Sequence, residues 1–539
     1  MVTRFDAQQT AAGLAKALPR LLLGLTALLA WPQAHADHPA LAACGGISPN
    51  SDPNSRAGTS GTVGTEDGLD ATGEALIQSL IVRSDATPGL AAAVVREGRL
   101  VWLRGYGFRD LQACLPVEAN TRFYLKSTTK MFLGAAAAIL HERGDIELDA
   151  PISEYLPDLQ LPEGINPAQV SLRAHLLHAQ PYFDGGLNYR TAFPGNLAED
   201  AFVDHVNRYA VAGDIRFRYS NFGPIMAANA ISRRTGRPWA EILRTEVLRP
   251  AGMLDSATDM ASAQDGPMAI GYIGGDGADF QSTLTKVDAQ MHAAGGMVST
   301  AADLARWLML IQGNGRIDGE QRLPRRAIEQ FQARQIQLQA SYRDYQRFAY
   351  GLGLYSGDYE GELLLHHFGG ETHLSWMPER GIGVVVLSNE LAFGDALTHA
   401  VASTLYDLML QREDVSARVE RRLAEVAAIR QRRQQARVDY LARQRAQITT
   451  DKALIPSAEL IGHYLSDRLG EIDIARAGDA LRVRFGALAG PLSHLRGDGW
   501  LAAIGLWGDP DELFVFRDDP ELGRVLDWGG RVFVRRNAD

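Results

Sequence analysis

The chain is poor in several features that mark common functional classes. Its 539 residues include only two cysteines and five lysines, and the net charge is −10 at pH 7. An acidic chain lacks the basic surface that nucleic-acid binding requires, so no nucleic-acid partner is expected. After residue 31 no uninterrupted apolar run has spanning length, so the mature chain is predicted to have no transmembrane segment.

Motifs of two common hydrolase classes are also missing. The absence of G-x-S-x-G disfavours an α/β-hydrolase, and neither H-E-x-x-H nor H-x-x-x-H occurs. Adjacent strand residues point to opposite faces, so His366 and His367 are poorly placed to bind one metal ion together with His373. We therefore expect a chain that works without a metal or an organic cofactor.

The N-terminal segment is typical of an export signal. Basic residues precede an apolar run over 21–31, and a small–x–small cleavage pattern ends at Ala36. The interpretation is a signal peptide over 1–36, cleaved after Ala36, and a periplasmic or secreted protein. An uncleaved N-terminal anchor or a buried helix is the alternative.

The two cysteines, Cys44 and Cys114, both follow that segment. In an oxidising compartment one pair of cysteines indicates one disulfide, which would tie the N-terminal segment to the body of the protein. Two alternatives stay open. A lipoprotein attached through Cys44 is the weaker one, because polar residues and prolines separate Cys44 from the apolar run, and the other is a pair of free thiols.

Composition divides the rest of the chain into four parts. Residues 37–70 are predicted to be a flexible linker because they are rich in Gly, Ser, Asn and Asp. Residues 71–410 form the main domain, 411–450 a long charged spacer helix, and 451–539 a small C-terminal β domain. Within the main domain we predict helices over 71–83, 131–142 and 300–312, and strands over 89–95, 100–103, 351–355, 362–367 and 383–388. Strands at both ends of a helical stretch predict one sheet built from distant parts.

An S-x-x-K motif, Ser127 and Lys130, stands just before the apolar segment 131–142. Positions i and i+3 of a helix share a face, so the hydroxyl and the amine would lie together. A Ser hydroxyl needs a base to become a nucleophile, and Lys can be that base when burial lowers its pKa. The alternative is a capping serine with a surface lysine, which the apolar context disfavours.

Two further motifs carry groups that could act with this pair. Tyr219 and Asn221 form Y-x-N, in which a phenol can shuttle protons and an amide can orient lysine and substrate; the alternative is a turn with an Asn cap. His367 is followed by Gly369 and Gly370 at the end of a strand-like run. Glycine there lets a substrate approach closely, and the Gly370 N–H could stabilise an oxyanion; the alternative is a strand end with a satisfied histidine.

In this order, S-x-x-K, Y-x-N and H-x-G resemble the motifs of the serine β-lactamase and penicillin-binding superfamily. The similarity covers about residues 75–400 and is closest to the class C-like branch, with its D-aminopeptidases, D,D-peptidases and family VIII esterases. Four further runs support it: TPGLAAAVVREGRLVWLRGYGFRD, RGDIELDAPISEYLPDL, LRPAGMLDSA and AAGGMVSTAADLARW.

The resemblance implies both a fold and a set of roles. The fold is α/β of the α+β type: an antiparallel sheet flanked by helices, as in class C β-lactamases, plus an all-α subdomain. Ser127 would be the acylated nucleophile, with Lys130 and Tyr219 moving protons to and from it. Asn221, His367 and Gly369 would contact substrate, and the N–H groups of Ser127 and Gly370 would form the oxyanion hole.

Three departures from the family pattern bear on substrate choice. His367 stands where lactamases and D,D-peptidases carry Lys, and a mostly neutral imidazole anchors a carboxylate poorly near pH 7. His373 replaces a second glycine, which is expected to narrow the site. Ala179 and Pro181 occupy the expected His and Ser positions of a loop that borders the site in relatives.

We therefore expect a serine hydrolase that forms an acyl-enzyme on small esters or on D-amino-acid-containing amides or peptides. A β-lactamase or D,D-carboxypeptidase of the same fold is the first alternative. The second is a non-catalytic binding or sensor protein that retains the fold. The partner is a small-molecule or peptide substrate, and the sequence does not determine the oligomeric state.

Overall fold

The computed structural model describes residues 39–47, 69–274, 280–446, 455–504 and 512–536. The predicted signal peptide, 1–36, lies outside the described residues, and so does most of the predicted linker, 37–70. The described part of that linker contains one short helix, Pro39–Ala43.

A nine-stranded antiparallel sheet, the main sheet, forms the centre of the protein. Its strands in spatial order are Ile336–Tyr342, Tyr345–Tyr350, Tyr355–Tyr359, Glu362–Phe368, Thr372–Met377, Ile382–Ser388, Gly89–Arg96, Arg99–Asp110 and Leu115–Pro116. The strand Gly89–Arg96 pairs along its whole length with Ile382–Ser388. The prediction of one sheet built from distant parts of the chain is therefore confirmed.

Both faces of the main sheet are covered, and the central strand shows why. Ala91 and Ala93 belong to one apolar core, whereas Leu90 and Ala92 belong to the other. Since successive strand residues point to opposite faces, a strand between two cores must be apolar at every position. This explains the uninterrupted run of small apolar residues in its sequence.

Helices lie on both faces of the main sheet. On one face are Ala71–Ser84, Gly394–Met409 and Val415–Ala446. On the other are Thr129–Arg143, Ala301–Gln312 and Arg325–Gln332. The helix Thr129–Arg143, which we call the nucleophile helix because it follows the predicted nucleophile Ser127, is buried along nearly its whole length, as its all-apolar sequence predicts.

A mainly helical region lies between the two halves of the main sheet in sequence. Its α-helices are Ile152–Tyr155, Leu172–Leu176, Gly185–Ala192, Phe202–Tyr209, Phe222–Thr235, Trp239–Leu243, Arg249–Ala251 and Met260–Gln264. Short strand pairs connect these helices to the rest: Phe123–Tyr124 with Val298–Ser299, Tyr182–Phe183 with Val211–Ala212, Tyr272–Ile273 with Gln281–Ser282, and Arg316–Ile317 with Glu320–Gln321.

One predicted strand, 351–355, is wrong. The chain bends over residues 351–354, and the strand begins only at Tyr355. Gly353 has φ +80°, and a Cβ there would lie 2.3 Å from the carbonyl oxygen of Lys130. The apolar run therefore serves close contact with the nucleophile helix rather than strand pairing.

The C-terminal region is a closed eight-stranded barrel that follows the long helix Val415–Ala446. Its strands are Gly462–Ser466, Gly470–Ala477, Ala480–Phe485, Leu488–Arg496, Gly499–Ala502, Glu512–Asp519, Gly523–Trp528 and Arg531–Arg535. Large side chains such as Phe485, Phe514 and Trp528 fill its interior. The prediction of a small C-terminal β domain after a long helix is confirmed.

Two observations bear on the environment in which the chain works. Cys44 and Cys114 are joined by a disulfide that spans 70 residues of sequence. Leu41 packs beside Leu111 and Tyr272, which holds the N-terminal helix on the body. Among the described residues no helix is both long and apolar enough to cross a membrane.

Candidate active site

Ser127 lies in a single 3-10 turn, Lys126–Thr128, that leads directly into the nucleophile helix. The residue is partly buried, and the end of the strand Glu362–Phe368 passes close beside it. A Cβ on Gly369 would lie 2.0 Å from the carbonyl oxygen of Leu125 and 2.9 Å from the Ser127 nitrogen. Only glycine therefore permits the strand to approach the serine backbone this closely.

Lys130, one helical turn after Ser127, points its ammonium at three acceptors. Its Nζ lies 3.0 Å from Ser127 Oγ, 2.8 Å from Asn221 Oδ1 and 2.8 Å from the Ala294 carbonyl oxygen. The amide and the carbonyl can only accept, so each fixes one N–H of the lysine. In a neutral amine the remaining position is the lone pair, which then faces the Ser127 hydroxyl.

The environment of Lys130 favours that neutral form. The residue is 2% exposed, and burial lowers the pKa of its amine to about 7. No carboxylate in the described part of the chain pairs with it, so nothing offsets the cost of burying the charge. A large fraction of the lysine can therefore act as a base near neutral pH.

Tyr219 also lies close to the amine of Lys130. The Lys130 Nζ is 5.0 Å from the centre of its ring, and its hydroxyl is 3.5 Å from His367 Nε2. The residue as a whole is 39% exposed, but its ring packs against His178 and Tyr355. Burial raises the pKa of the phenol, while the Ser127 hydroxyl and Arg347 act to lower it. The phenol therefore keeps its proton and can donate it.

His367 is neutral and its tautomer follows from its contacts. Burial, followed by the charge of Lys130, holds the pKa of the imidazole well below its usual value. Nδ1 lies 2.9 Å from the Phe368 carbonyl oxygen, which can only accept, so Nδ1 carries the proton. Nε2 is then an acceptor directed at the Tyr219 hydroxyl. The expectation of a mostly neutral imidazole agrees with this geometry.

The structure adds His178, a residue that the sequence analysis did not select. Its ring is buried 4.7 Å from that of Tyr219, centre to centre. Nδ1 accepts the N–H of Ser220 at 3.3 Å, and Nε2 lies 3.1 Å from the Tyr350 hydroxyl. The loop that carries Ala179 and Pro181 therefore does place a histidine beside the site, one residue before Ala179, where the family pattern has its histidine. The sequence could have indicated His178, because it is a histidine in a loop that was expected to border the site.

The expectation that His373 narrows the site is wrong. Thr372 faces the nucleophile helix, with Oγ1 2.9 Å from Thr128 Oγ1. His373, the next strand residue, points to the opposite face and lies 2.8 Å from Ser375 Oγ. His366 likewise faces away from Ser127 and accepts from Arg347 Nε at 3.1 Å. These histidines belong to the core behind the strand, and they do not converge with His367 on one point.

A second lysine, Lys126, directly precedes Ser127 in the same 3-10 turn. Its Nζ is 2.5 Å from Glu371 Oε2, and Glu371 is 2% exposed. The chain of Lys126 passes over Gly370, whose φ is +66° and whose hypothetical Cβ would lie 3.4 Å from Nζ. Burial raises the pKa of Glu371 to about 6 although Lys126 opposes this shift. The structure thus gathers Ser127, Lys130, Tyr219, Asn221, His367, Gly369 and Gly370 at one place.

Comparison with known proteins adds a family and a fold. The Beta-lactamase family model matches residues 76–406. A D-aminopeptidase from Gluconobacter oxydans is 23% identical over 381 residues, which cover 66% of this chain and 69% of that protein. An unguisins hydrolase from Aspergillus violaceofuscus is 27% identical over 246 residues, which cover 41% of each protein.

One solved structure resembles nearly the whole chain. It is an octameric penicillin-binding protein homologue from Pyrococcus abyssi, with a TM-score of 0.56 and 22% identity over 86% of this chain and 99% of that one. At this identity the likeness establishes the fold. The chain spans between about two fifths and about two thirds of the length of the two curated relatives above.

Proposed function

The chain belongs to the beta-lactamase family of serine hydrolases, and from that premise we propose that it hydrolyses esters or amides through an acyl-enzyme on Ser127. The observation that carries the proposal is the contact between Ser127 Oγ and Lys130 Nζ at 3.0 Å, made by a buried amine with a pKa of about 7. A serine next to such an amine has the base that nucleophilic attack requires.

In the acylation step the neutral Lys130 removes the proton of Ser127 as Oγ attacks the substrate carbonyl carbon. The carbonyl oxygen becomes an oxyanion, which accepts from the backbone N–H groups of Ser127 and Gly370. Tyr219 then donates its proton to the leaving oxygen or nitrogen, and the scissile bond breaks. The tyrosine recovers a proton from the ammonium of Lys130, whose Nζ lies beside its ring.

Deacylation reverses these proton transfers with water in place of the leaving group. Tyr219 and Lys130 together remove a proton from the water that attacks the ester carbon, and the proton returns to Ser127 Oγ as the acid departs. Asn221 holds the lysine in place through its Oδ1. His367 Nε2 accepts from the Tyr219 hydroxyl and so orients it.

The substrate class that these contacts favour is a small ester, or an amide or peptide that contains a D-amino acid. His367 is neutral and its Nε2 faces Tyr219, so it offers no cation to a substrate carboxylate. β-Lactams and D,D-peptides carry such a carboxylate, which makes them the second candidates. The relatives include a D-aminopeptidase. For the present chain, this similarity favours amides with a free amino terminus.

We further propose that the protein acts outside the cytoplasm, as a periplasmic or secreted enzyme. The disulfide between Cys44 and Cys114 supports this, because such bonds persist in oxidising compartments.

The test is intact-mass analysis of the purified chain with and without a fluorophosphonate probe, with Ser127→Ala as the matched variant. The same samples are assayed with p-nitrophenyl butyrate, D-alanyl-p-nitroanilide and nitrocefin. We expect one adduct in the wild type, none in Ser127→Ala, and turnover of the first or second substrate. A folded protein with neither adduct nor turnover would support a non-catalytic binding protein instead.

A further inference from the structure

The part of the chain that contains the main sheet is called the hydrolase body. Between it and the C-terminal barrel lies a cavity of about 510 Å³, whose lining includes Lys126, the residue that precedes Ser127. We call it the seam cavity. Lys126 and Glu371 line it on the side of the serine, and Arg482, Ala487 and Leu488 line it on the side of the barrel. Residues adjacent in sequence to the two proposed oxyanion donors, Ser127 and Gly370, thus form one of its walls.

The barrel is held firmly at this seam. The Ala487 N–H donates to the Pro194 carbonyl oxygen at 2.6 Å, and a Cβ on Gly486 would lie 2.2 Å from the same oxygen. Asn196 Nδ2 donates to the Leu469 carbonyl oxygen at 3.1 Å. The barrel residues of the seam cavity are therefore fixed relative to the hydrolase body.

The position of the proton-handling groups decides which part of a substrate the seam cavity can receive. Tyr219 and His367 are not among the residues that line it. Because Tyr219 protonates the leaving group in the proposed mechanism, the leaving group must lie on its side of Ser127. The acyl part must then extend away from Tyr219, and the seam cavity, which is lined by Lys126 but not by Tyr219, is the candidate space for it.

The lining of the seam cavity combines an apolar surface with an excess of positive charge. Apolar side chains form most of it, among them Phe123, Phe193, Met268 and Leu284. Among the described residues of the lining, the charged ones are Lys126, Lys286 and Arg482, with one carboxylate, Glu371. An occupant that fits this lining is an apolar chain that ends in an anion.

The two cations away from Ser127 come from separate parts of the fold. Lys286 donates to the Ala192 carbonyl oxygen at 2.7 Å, and burial, followed by the charge of Lys126, lowers the pKa of its amine to about 7. Arg482 lies at an exposed position of the barrel strand Ala480–Phe485, in which exposed and buried residues alternate. A carboxylate in the seam cavity would restore the charged form of Lys286 and could bond with the guanidinium of Arg482.

We propose that the seam cavity binds the acyl part of the substrate and selects acyl groups that carry a second, anionic end, such as a monoester or monoamide of a dicarboxylic acid. This inference rests on the proposed function, whose site it extends. Arg482 and Lys286 are the specificity-determining residues. The barrel thereby contributes directly to substrate choice.

The test compares two series of p-nitrophenyl esters with four to ten acyl carbons, one of dicarboxylic acids and one of the matching monocarboxylic acids. At one chain length or more we expect kcat/KM of the wild type to be about tenfold higher for the anionic ester, the value of one charge-assisted hydrogen bond. Arg482→Gln should abolish this preference while the neutral esters change by less than about twofold. Lys286→Met should reduce it in the same direction.

Arg484→Gln is the matched control, because Arg484 follows two residues later on the same strand and bonds Asp473 instead. It should leave both series unchanged. If the wild type and Arg482→Gln show the same preference for the anionic esters, the inference is overturned. The proposed hydrolysis of esters would be unaffected by that result. Calorimetry of Ser127→Ala measures the affinity for the free dicarboxylic and monocarboxylic acids without any turnover. Equal affinities for the two kinds of acid would also overturn the inference.

Discussion

Lys126 and Lys130 flank Ser127 in the sequence, and the two lysines differ in their partners. Lys130 is buried with neutral acceptors only, so burial lowers the pKa of its amine to about 7. Lys126 is paired with the carboxylate of Glu371 at 2.5 Å. The comparison teaches that the partners of the two lysines, neutral acceptors for Lys130 and a carboxylate for Lys126, distinguish the candidate base from its neighbour.

The surroundings of the two lysines also differ. Tyr219, His178 and His367 lie on the Lys130 side. Burial raises the pKa of the Tyr219 phenol and lowers the pKa of both imidazoles, so all three side chains are neutral. The Lys126 side opens into the seam cavity, which the barrel helps to close. One side is therefore suited to moving protons, and the other to holding part of a substrate.

The largest expected effect is on the rate of acylation. Lys130→Met should lower the rate of fluorophosphonate labelling and of ester turnover by about a thousandfold, because general-base catalysis is lost. Lys126→Met, matched in size and chemistry, should lower the turnover of a neutral ester by less than about tenfold, because the Lys126 amine is bonded to Glu371 and is not the proposed base. Stopped-assay kinetics with p-nitrophenyl butyrate measure both, and equal losses in the two variants would contradict the comparison.

A smaller effect is expected on the pH dependence. Because the base is the deprotonated Lys130, kcat/KM for a neutral ester should fall about tenfold per pH unit below about 7 and level off above it. Glu371 also has a pKa near this range, at about 6. In Glu371→Gln the pH profile of kcat/KM should keep its inflection near 7. If the inflection is lost in this variant, the group that titrates in the wild type is Glu371 and not Lys130.

The smallest expected effect is on stability. In the unfolded chain Lys130 has the ordinary pKa of 10.5, and in the folded protein about 7, so unfolding takes up a proton between these pH values. The burial of Lys130 therefore costs stability at pH 7, and this cost is relieved as the pH rises toward 10.5. Lys130→Met should raise the free energy of unfolding by about 1–2 kcal/mol at pH 7.

Lys126→Met should have the opposite sign, because it leaves the buried Glu371 without its cation. Urea unfolding of both variants at pH 7 and pH 9.5 tests this pair of predictions. A Lys130→Met variant that is less stable than the wild type at pH 7 would show that the three contacts of the amine outweigh the cost of its burial.

Much of the fold could be predicted because its signals are local. The nucleophile helix follows from an uninterrupted apolar sequence, and the helix Ala301–Gln312 begins after Thr300, which caps it through Asp303 N–H. The strand predicted over 351–355 was wrong because its apolar residues serve contact with Lys130. Apolar character alone does not tell pairing from packing.

Part of the candidate site could likewise be predicted from local motifs, and part of it could not. Ser127, Lys130, Tyr219, Asn221 and His367 were selected from three short motifs, each of which keeps its residues within one turn or one strand end. His178 was not selected, because its contact with Tyr219 joins segments that are 41 residues apart in sequence. The pair of Lys126 and Glu371 is separated by 245 residues, and no local pattern indicates it.

The sequence by itself indicated the family through its resemblance to known motifs. It also predicted the central sheet with its helices, because these depend on patterns along the chain. The tertiary structure decided that Lys130 is buried among neutral acceptors, which way His366 and His373 face, and that the barrel lines a cavity beside Lys126 and Glu371. These properties depend on burial and on the charges nearby, which long-range packing sets. A pKa or a cavity is a property of the neighbours of a residue, and those neighbours are brought together only by folding.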